Sequence, residues 1–453
     1  MRPVLAVTAA LALVIGALSV ASARLGPSVD TLTTASSLDG IAVNTQVAVG
    51  FTTAMNIRSV ESNFSLSPRV PGTFTSAGNT LLFTPRRNLA YSTTYTLTIG
   101  NAAHDVTGHH LFRAYHAVLH TQSEHFLFLG THGADRGRLV LGSVSGKSRI
   151  IGPDDGSVTG FSSSQDGTLA VFARKGGPHE RQDEIWLASL ADGSTQLLLR
   201  RPDWTIEQPH LSPDGSTVAF LAENVRLCRP TYGCYRDNST PVLELLDVHT
   251  RRVAPFRAAS DTPITNFIAF SPTGQLAFTD LGSALTLASI NGSSITHVPD
   301  RGNSLLFAGF DAQGDKVAFV GQTPSSTGGD ILVYSHSRYL DISHGIYDAS
   351  TPSFSSSGRA VAYAAYRSEA GIEPVYGINV DDLNQGHTRH VTNPRGASDW
   401  QPVWSPDDRY LAFVRSAPQE AMYMGSGRIW VVRPNGTGAR RTPWMGQDIT
   451  WVI

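Results

Sequence analysis

Four carboxylates and three carboxamides recur at one place in this 453-residue chain, just ahead of short apolar segments: Glu207, Gln208, Asn266, Asp348, Asp399, Gln401 and Asp448. If those segments are strands around a common axis, their acidic side chains converge and could hold a cation or accept a basic side chain or peptide. Taken singly, each is an ordinary turn residue, because Asp and Asn readily hydrogen-bond nearby backbone ahead of a strand. His344, with Tyr347 and Asp348 beside it, is the grouping best suited to acid–base chemistry of a lyase type; a loop histidine is otherwise simply solvated.

Other chemistries lack their parts. No G-x-S-x-G nucleophile turn and no HExxH zinc helix occur in the sequence. The two cysteines, Cys228 and Cys234, are spaced C-x5-C, which is neither a zinc module nor the redox-active C-x-x-C. A local disulfide stapling one loop in an oxidising compartment is expected, two free thiols being the alternative. Seven of the fifteen histidines (104, 109, 110, 116, 120, 125 and 132) fall within 29 residues. No Cys, Asp or Glu spacing completes a metal site around them, so they read as a solvated polar strand face. No metal and no cofactor are expected.

The elements that must position these residues are β-strands. Only 16% of residues are charged, while 42 glycines and 25 prolines supply turns. The net charge of -2 leaves no excess of cations for a phosphate backbone, which argues against nucleic acid. The N-terminus has Arg2, an apolar run from Val4 to Val20 and the small-x-small site Ala21-Ser22-Ala23. Residues 1–23 therefore read as a secretory signal peptide or an N-terminal membrane anchor, and either places the remainder outside the cytoplasm.

Residues 30–122 form a first module. IAVNTQVAVGF (41–51) alternates, with Val43, Val47, Val49 and Phe51 on one face, and TLLFT (80–84) and YTLTI (95–99) are further strand runs. Short strands at this spacing indicate a β-sandwich. The text FTTAMNIRSVESNFSLSPRVPGTF, then GNTLLFTPRRNLAYSTTYTLTI, then AHDVTGHHLF resembles the bacterial Ig-like domain of the S-layer type. The resemblance implies a spacer or adhesion module without catalytic residues.

From 123 to 453 one phrase occurs six times: FSSSQDGTLAVF from 161, LSPDGSTVAF from 211, FSPTGQLAF from 270, FDAQGDKVAF from 310, FSSSGRAVAY from 354 and WSPDDRYLAF from 404. In S-P-D-G, Pro presets φ and Gly accepts positive φ, so the phrase is a hairpin between strands a and b. Strand c follows, as in EIWLASL or RIWVV, often with an Asp-Gly or Asn-Gly turn after it (192–193, 291–292, 435–436). Four strands per repeat make a propeller blade. Residues 126–150 supply three strands lacking a strand a, and the terminal DITWVI is a strand with nothing after it. Because Trp451 aligns with Trp404, the C-terminal strand is expected to complete the first of seven blades and so remove exposed sheet edges.

These repeats resemble the TolB-like, WD40-like (PD40) propeller family, with LSPDGSTVAF, WSPDDRYLAF and RIWVVRPNG nearest its pattern. The resemblance implies a docking platform. The longer insertions (174–183, the cysteine loop to 241, 366–374 and 416–427) mostly fall on the rim carrying the b–c and d–a connections, where binding is expected.

The expected protein is thus all-β, an Ig-like sandwich followed by a seven-bladed propeller. Its expected role is a monomeric, noncatalytic, extracytoplasmic binding or scaffold protein. The partner would be a protein, peptide or glycan, with membrane contact only through the N-terminal segment. The alternative is an enzyme acting on polysaccharide with His344 as base.

Overall fold

The computed structural model describes residues 26–176, 182–202, 204–224, 241–257, 264–280, 285–298, 308–321, 329–343, 348–367, 375–417 and 426–452. The chain divides into two compact units, Met1–Ser123 and Glu124–Ile453.

The first unit pairs a four-stranded and a three-stranded antiparallel sheet. Strands β1 (Val29–Thr33), β2 (Val47–Phe51), β4 (Gly72–Ala77) and β5 (Thr80–Pro85) form the first in the order β1-β2-β5-β4. Strands β3 (Phe64–Ser67), β6 (Thr94–Ile99) and β7 (Tyr115–His120) form the second in the order β3-β6-β7. Alternation decides what is buried: Tyr95, Leu97 and Ile99 of β6 enter the core, whereas Thr94 and Thr96 stay outside. Val43, Val47, Val49 and Phe51 are buried as their spacing implied, although strand geometry begins only at Val47. A short helix, α1 (Ile57–Asn63), interrupts the sandwich. Asn56 caps it, its side-chain oxygen accepting from the Ser59 N–H at 3.1 Å.

The second unit is a ring of seven blades. Five are separate four-stranded antiparallel sheets, and a seven-stranded sheet holds the other two. Its strand Arg440–Val452 first pairs with Gly427–Val432 as the outer strand of blade 7. From Gly446 onward it also pairs with His125–Gly130 as the inner strand of blade 1. One strand thus ends the last blade and completes the first. The C-terminal segment occupies the place expected for it.

Seven hydrophobic clusters fill the seven interfaces between adjacent blades, including the one joining blade 7 to blade 1 around Phe126, Trp451 and Ile429. Strand b of each blade carries a continuous apolar run, such as LAVFA in blade 2 and LAFV in blade 7, because both of its faces are covered there. In blade 2, Ala170 and Phe172 join the cluster shared with blade 1, and Val171 and Ala173 join that shared with blade 3.

The a–b turns are locked by side chains. Ser212 Oγ donates to Asp214 Oδ1 at 2.6 Å and accepts from the Thr217 N–H at 2.9 Å. One of the three copies without proline, that of blade 2, repeats this network: Ser164 Oγ donates to Asp166 at 2.6 Å and accepts from the Leu169 N–H at 2.9 Å. The turn therefore does not need the proline, and in the copies without the serine–aspartate pair other side chains serve: Asp311 accepts from the Lys316 N–H at 3.0 Å and Ser355 Oγ from the Ala360 N–H at 3.1 Å. In the sixth copy Asp408 stands where the others have glycine and keeps the left-handed conformation at φ 59°. Its carboxylate accepts from the Ser356 N–H at 2.6 Å and the Ser357 N–H at 3.0 Å, tying the turn of blade 7 to that of blade 6. Asp408→Ala is expected to destabilise the chain by about 1–3 kcal/mol, and Asp408→Asn by less. The urea midpoint for unfolding measures both.

Candidate functional site

The first strand of each blade is innermost, and along these strands the alternation breaks at one repeated position. The register slips between Glu207 and His210 in blade 3, Ser350 and Ser353 in blade 6, Trp400 and Val403 in blade 7, and Gln447 and Thr450 in blade 1. Each slip holds a non-glycine residue in the left-handed region: Gln208 (φ 52°), Thr351 (φ 51°), Gln401 (φ 50°) and Asp448 (φ 53°). Such a bulge re-aims a side chain at a cost of order 1 kcal/mol in backbone strain. All four lie three residues before the large apolar residue that ends the strand, namely Leu211, Phe354, Trp404 or Trp451.

Two members of this layer touch across neighbouring blades. The Asp448 N–H donates to Gln401 Oε1 at 3.0 Å, and Gln401 Nε2 donates to Asp448 Oδ1 at 3.4 Å. Gln447 Nε2 donates to the second carboxylate oxygen at 3.1 Å. Asp448 is exposed to solvent by surface area yet flanked by Gln401 and Gln447 and desolvated by the protein around it. That desolvation lifts its pKa above the usual carboxylate range, against the lowering effect of Gln447 and Gln401.

The seven residues singled out in the sequence separate into distinct environments. Gln208, Gln401 and Asp448 share the bulge layer, and Glu207 is exposed one residue before it. Asn266 is half-buried in the inner strand of blade 4. Asp348 is half-buried at the start of blade 6 and accepts from the Tyr376 hydroxyl at 2.5 Å. Asp399 is not at the channel mouth, contrary to expectation. It is fully buried, with Arg415 Nε at 2.6 Å and Nη2 at 2.8 Å from its two oxygens, so it is a structural partner of strand b. Thr351 belongs to the layer too, and its sequence signal is weak because it has neither charge nor amide. Counting back three residues from Phe354 would have found it.

His210, two residues past the bulge of blade 3, is half-buried by surface area but enclosed by protein, which depresses its pKa to about 4. A histidine held neutral in the fold but free to protonate when unfolded stabilises above its unfolded pKa, and that stability is lost as pH falls. Stability is therefore expected to decline from about pH 6.5 towards pH 4, with His210→Gln flattening the slope in thermal melts taken across that range.

His116 and His120 are exposed on β7, where they hydrogen-bond Thr98 and Thr94 at 3.1 and 2.9 Å. Among the described residues no three His, Cys, Asp or Glu side chains are grouped to hold a metal, and no helix is long and apolar enough to cross a membrane. Residues 1–23, Cys228, Cys234, His344 and Tyr347, with most of the long rim loops, lie outside the described residues.

The profile of the bacterial Ig-like domain matches residues 24–121. No curated protein sequence matches the chain. A prolyl endopeptidase structure is similar at 11% identity and TM-score 0.50, over 86% of this chain and 51% of that one. Putative TolB from Agrobacterium tumefaciens is similar at 17% identity and TM-score 0.42, over 60% of this chain and 97% of that one. The β-propeller domain of the Trilobed protease from Pyrococcus furiosus is similar at 10% identity and TM-score 0.46, over 77% and 93%. These likenesses concern fold and carry no function across. Residues 24–121 belong to the bacterial Ig-like domain family, and in this chain they precede a seven-bladed β-propeller closed by its C-terminal strand.

Proposed function

We propose that the propeller is a noncatalytic docking platform in an extracytoplasmic protein, gripping a protein, peptide or glycan partner through the polar layer of its inner strands and the rim beside it. The observation that carries this reading is the left-handed bulge repeated at Gln208, Thr351, Gln401 and Asp448. Strain held at one place in four blades, on side chains that can hydrogen-bond but carry a single charge, suits recognition better than bond cleavage. The apolar N-terminal stretch ending in Ala21-Ser22-Ala23 and the Ig-like domain support placement outside the cytoplasm.

The test is capture of partners from bacterial envelope extract by the full chain and by a Gln208→Ala, Gln401→Ala, Asp448→Asn variant. Loss of specific capture, with the melting temperature unchanged, is expected. Because the Asp448 pKa is raised, capture that needs its charge weakens on acidification while ordinary surface aspartates are still ionised, and Asp448→Asn abolishes that dependence. Equal capture by the variant overturns the role of this layer.

A further inference from the structure

Beside the bulge layer, between blades 6 and 7, lies a cluster that the propeller's own packing leaves unsatisfied. Tyr376 packs against Trp400 with ring centroids 3.9 Å apart and planes tilted by 35°, and meets Tyr366 edge-on at 5.5 Å. Its hydroxyl donates to Asp348. Trp400 is 5% exposed, and among the described residues its indole N–H has no hydrogen-bond partner; nor have the buried hydroxyls of Ser350 and Thr351 on the adjoining inner strand. Tyr366, Tyr376 and Asp348 remain partly open to solvent. Tyr366 ends strand b, Tyr376 is near the start of strand c and Asp348 immediately precedes strand a of blade 6, so all three face the rim carrying the b–c and d–a connections.

A buried donor without an acceptor is rare, and it points to a water or ligand atom that completes it. The cluster offers three things together: a carboxylate that takes hydroxyl or amide donors, tyrosine faces that take an apolar surface, and an indole N–H that takes only an acceptor. A lysine or arginine side chain meets the first two but has no acceptor for the third. A neutral sugar ring meets all three, since each hydroxyl both donates and accepts and one ring face presents C–H groups. We infer that Asp348, Tyr366, Tyr376 and Trp400 form a subsite for one unit of a neutral saccharide chain. This rests on the docking reading and narrows it to glycan at this rim.

The experiment titrates the full chain with cellohexaose and chitohexaose, and separately with a tetralysine peptide, while following the indole N–H resonance assigned to Trp400 by its disappearance in Trp400→Phe. A saccharide is expected to shift that resonance. Trp400→Phe should weaken binding roughly 2- to 12-fold, as loss of one neutral hydrogen bond does, and Asp348→Asn about tenfold or more. Tyr366→Ala, half-buried at the rim, should weaken binding without unfolding the chain, and it guards against a folding defect in the buried variants. No shift with either saccharide, a shift with the peptide alone, or saccharide binding indifferent to Asp348→Asn and Tyr366→Ala overturns the subsite. If envelope capture is still lost in the bulge-layer variant, only the saccharide inference falls. If saccharide binds while that variant captures normally, only the channel role falls.

Discussion

Trp451→Ala is expected to cost about 3–5 kcal/mol of stability, as removal of a large buried aromatic does. Trp451 is 8% exposed, meets Phe126 edge-on at 5.8 Å and donates its indole N–H to the Val403 carbonyl at 2.9 Å. It therefore joins three things: the C-terminal strand, blade 1 against which that strand pairs, and the inner strand of blade 7. Trp404 is its repeat equivalent in blade 7 and donates to the Ser353 carbonyl of blade 6 at 3.1 Å, a contact between blades that simply follow one another in sequence. Trp404→Ala removes the same hydrogen bond and ring without touching closure. Trp404 is half-buried where Trp451 is buried, so in urea unfolding of both variants the loss in Trp451→Ala beyond what its deeper burial accounts for measures what closing the ring contributes. Equal losses would mean that closure adds nothing beyond local packing. If closure matters as the topology suggests, Trp451→Ala also aggregates sooner on heating, because an open first blade exposes a strand edge.

Arg415→Ala is expected to destabilise by about 3–5 kcal/mol near neutral pH. Asp399 is wholly buried, and the guanidinium that grips both of its oxygens also lies 4.5 Å from the centroid of Trp430. Without that cation a charge is stranded out of water. Burial pushes the Asp399 pKa up, while Arg415 pulls it down. In the variant the upward push loses its main counterweight, leaving only the hydrogen bond from Thr392 to oppose it. A carboxylate whose folded pKa exceeds its unfolded value stabilises the fold below the unfolded pKa and loses that contribution as pH rises through the folded one. The penalty of Arg415→Ala should therefore be largest at about pH 7.5 and shrink at about pH 5, whereas a packing defect alone would be flat with pH. The double variant Asp399→Asn, Arg415→Met should recover part of the loss, because it removes both charges together. Its failure to recover, with a flat pH response, would assign the effect to the stacking of Arg415 on Trp430.

The bulge layer shows how far the sequence could be read and where it stopped. Counting from the S-P-D-G turns located the strands that line the axis, and so brought Gln208, Gln401 and Asp448 into view together. Strict alternation would have placed Asp399 and Gln401 on one face, since they are two residues apart. The slip between Trp400 and Val403 breaks that rule, burying Asp399 against a partner 16 residues on and leaving Gln401 on the wall. Helix α1 escaped notice for a related reason. Its seven residues, IRSVESN, bury only Val60, too few for a period to register.

The all-β class, the repeat and the union of the first blade with the last strand are legible in the order of residues, because they follow from local turn chemistry and from a strand-length pattern that each copy repeats. Which polar side chains of the inner strands stay open to solvent and which are consumed inside the blades is settled by the folded packing. That choice depends on single-residue bulges, on partners distant in sequence such as Arg415 for Asp399, and on the contact of Gln401 with Asp448 between neighbouring blades, none of which leaves a mark on local residue spacing.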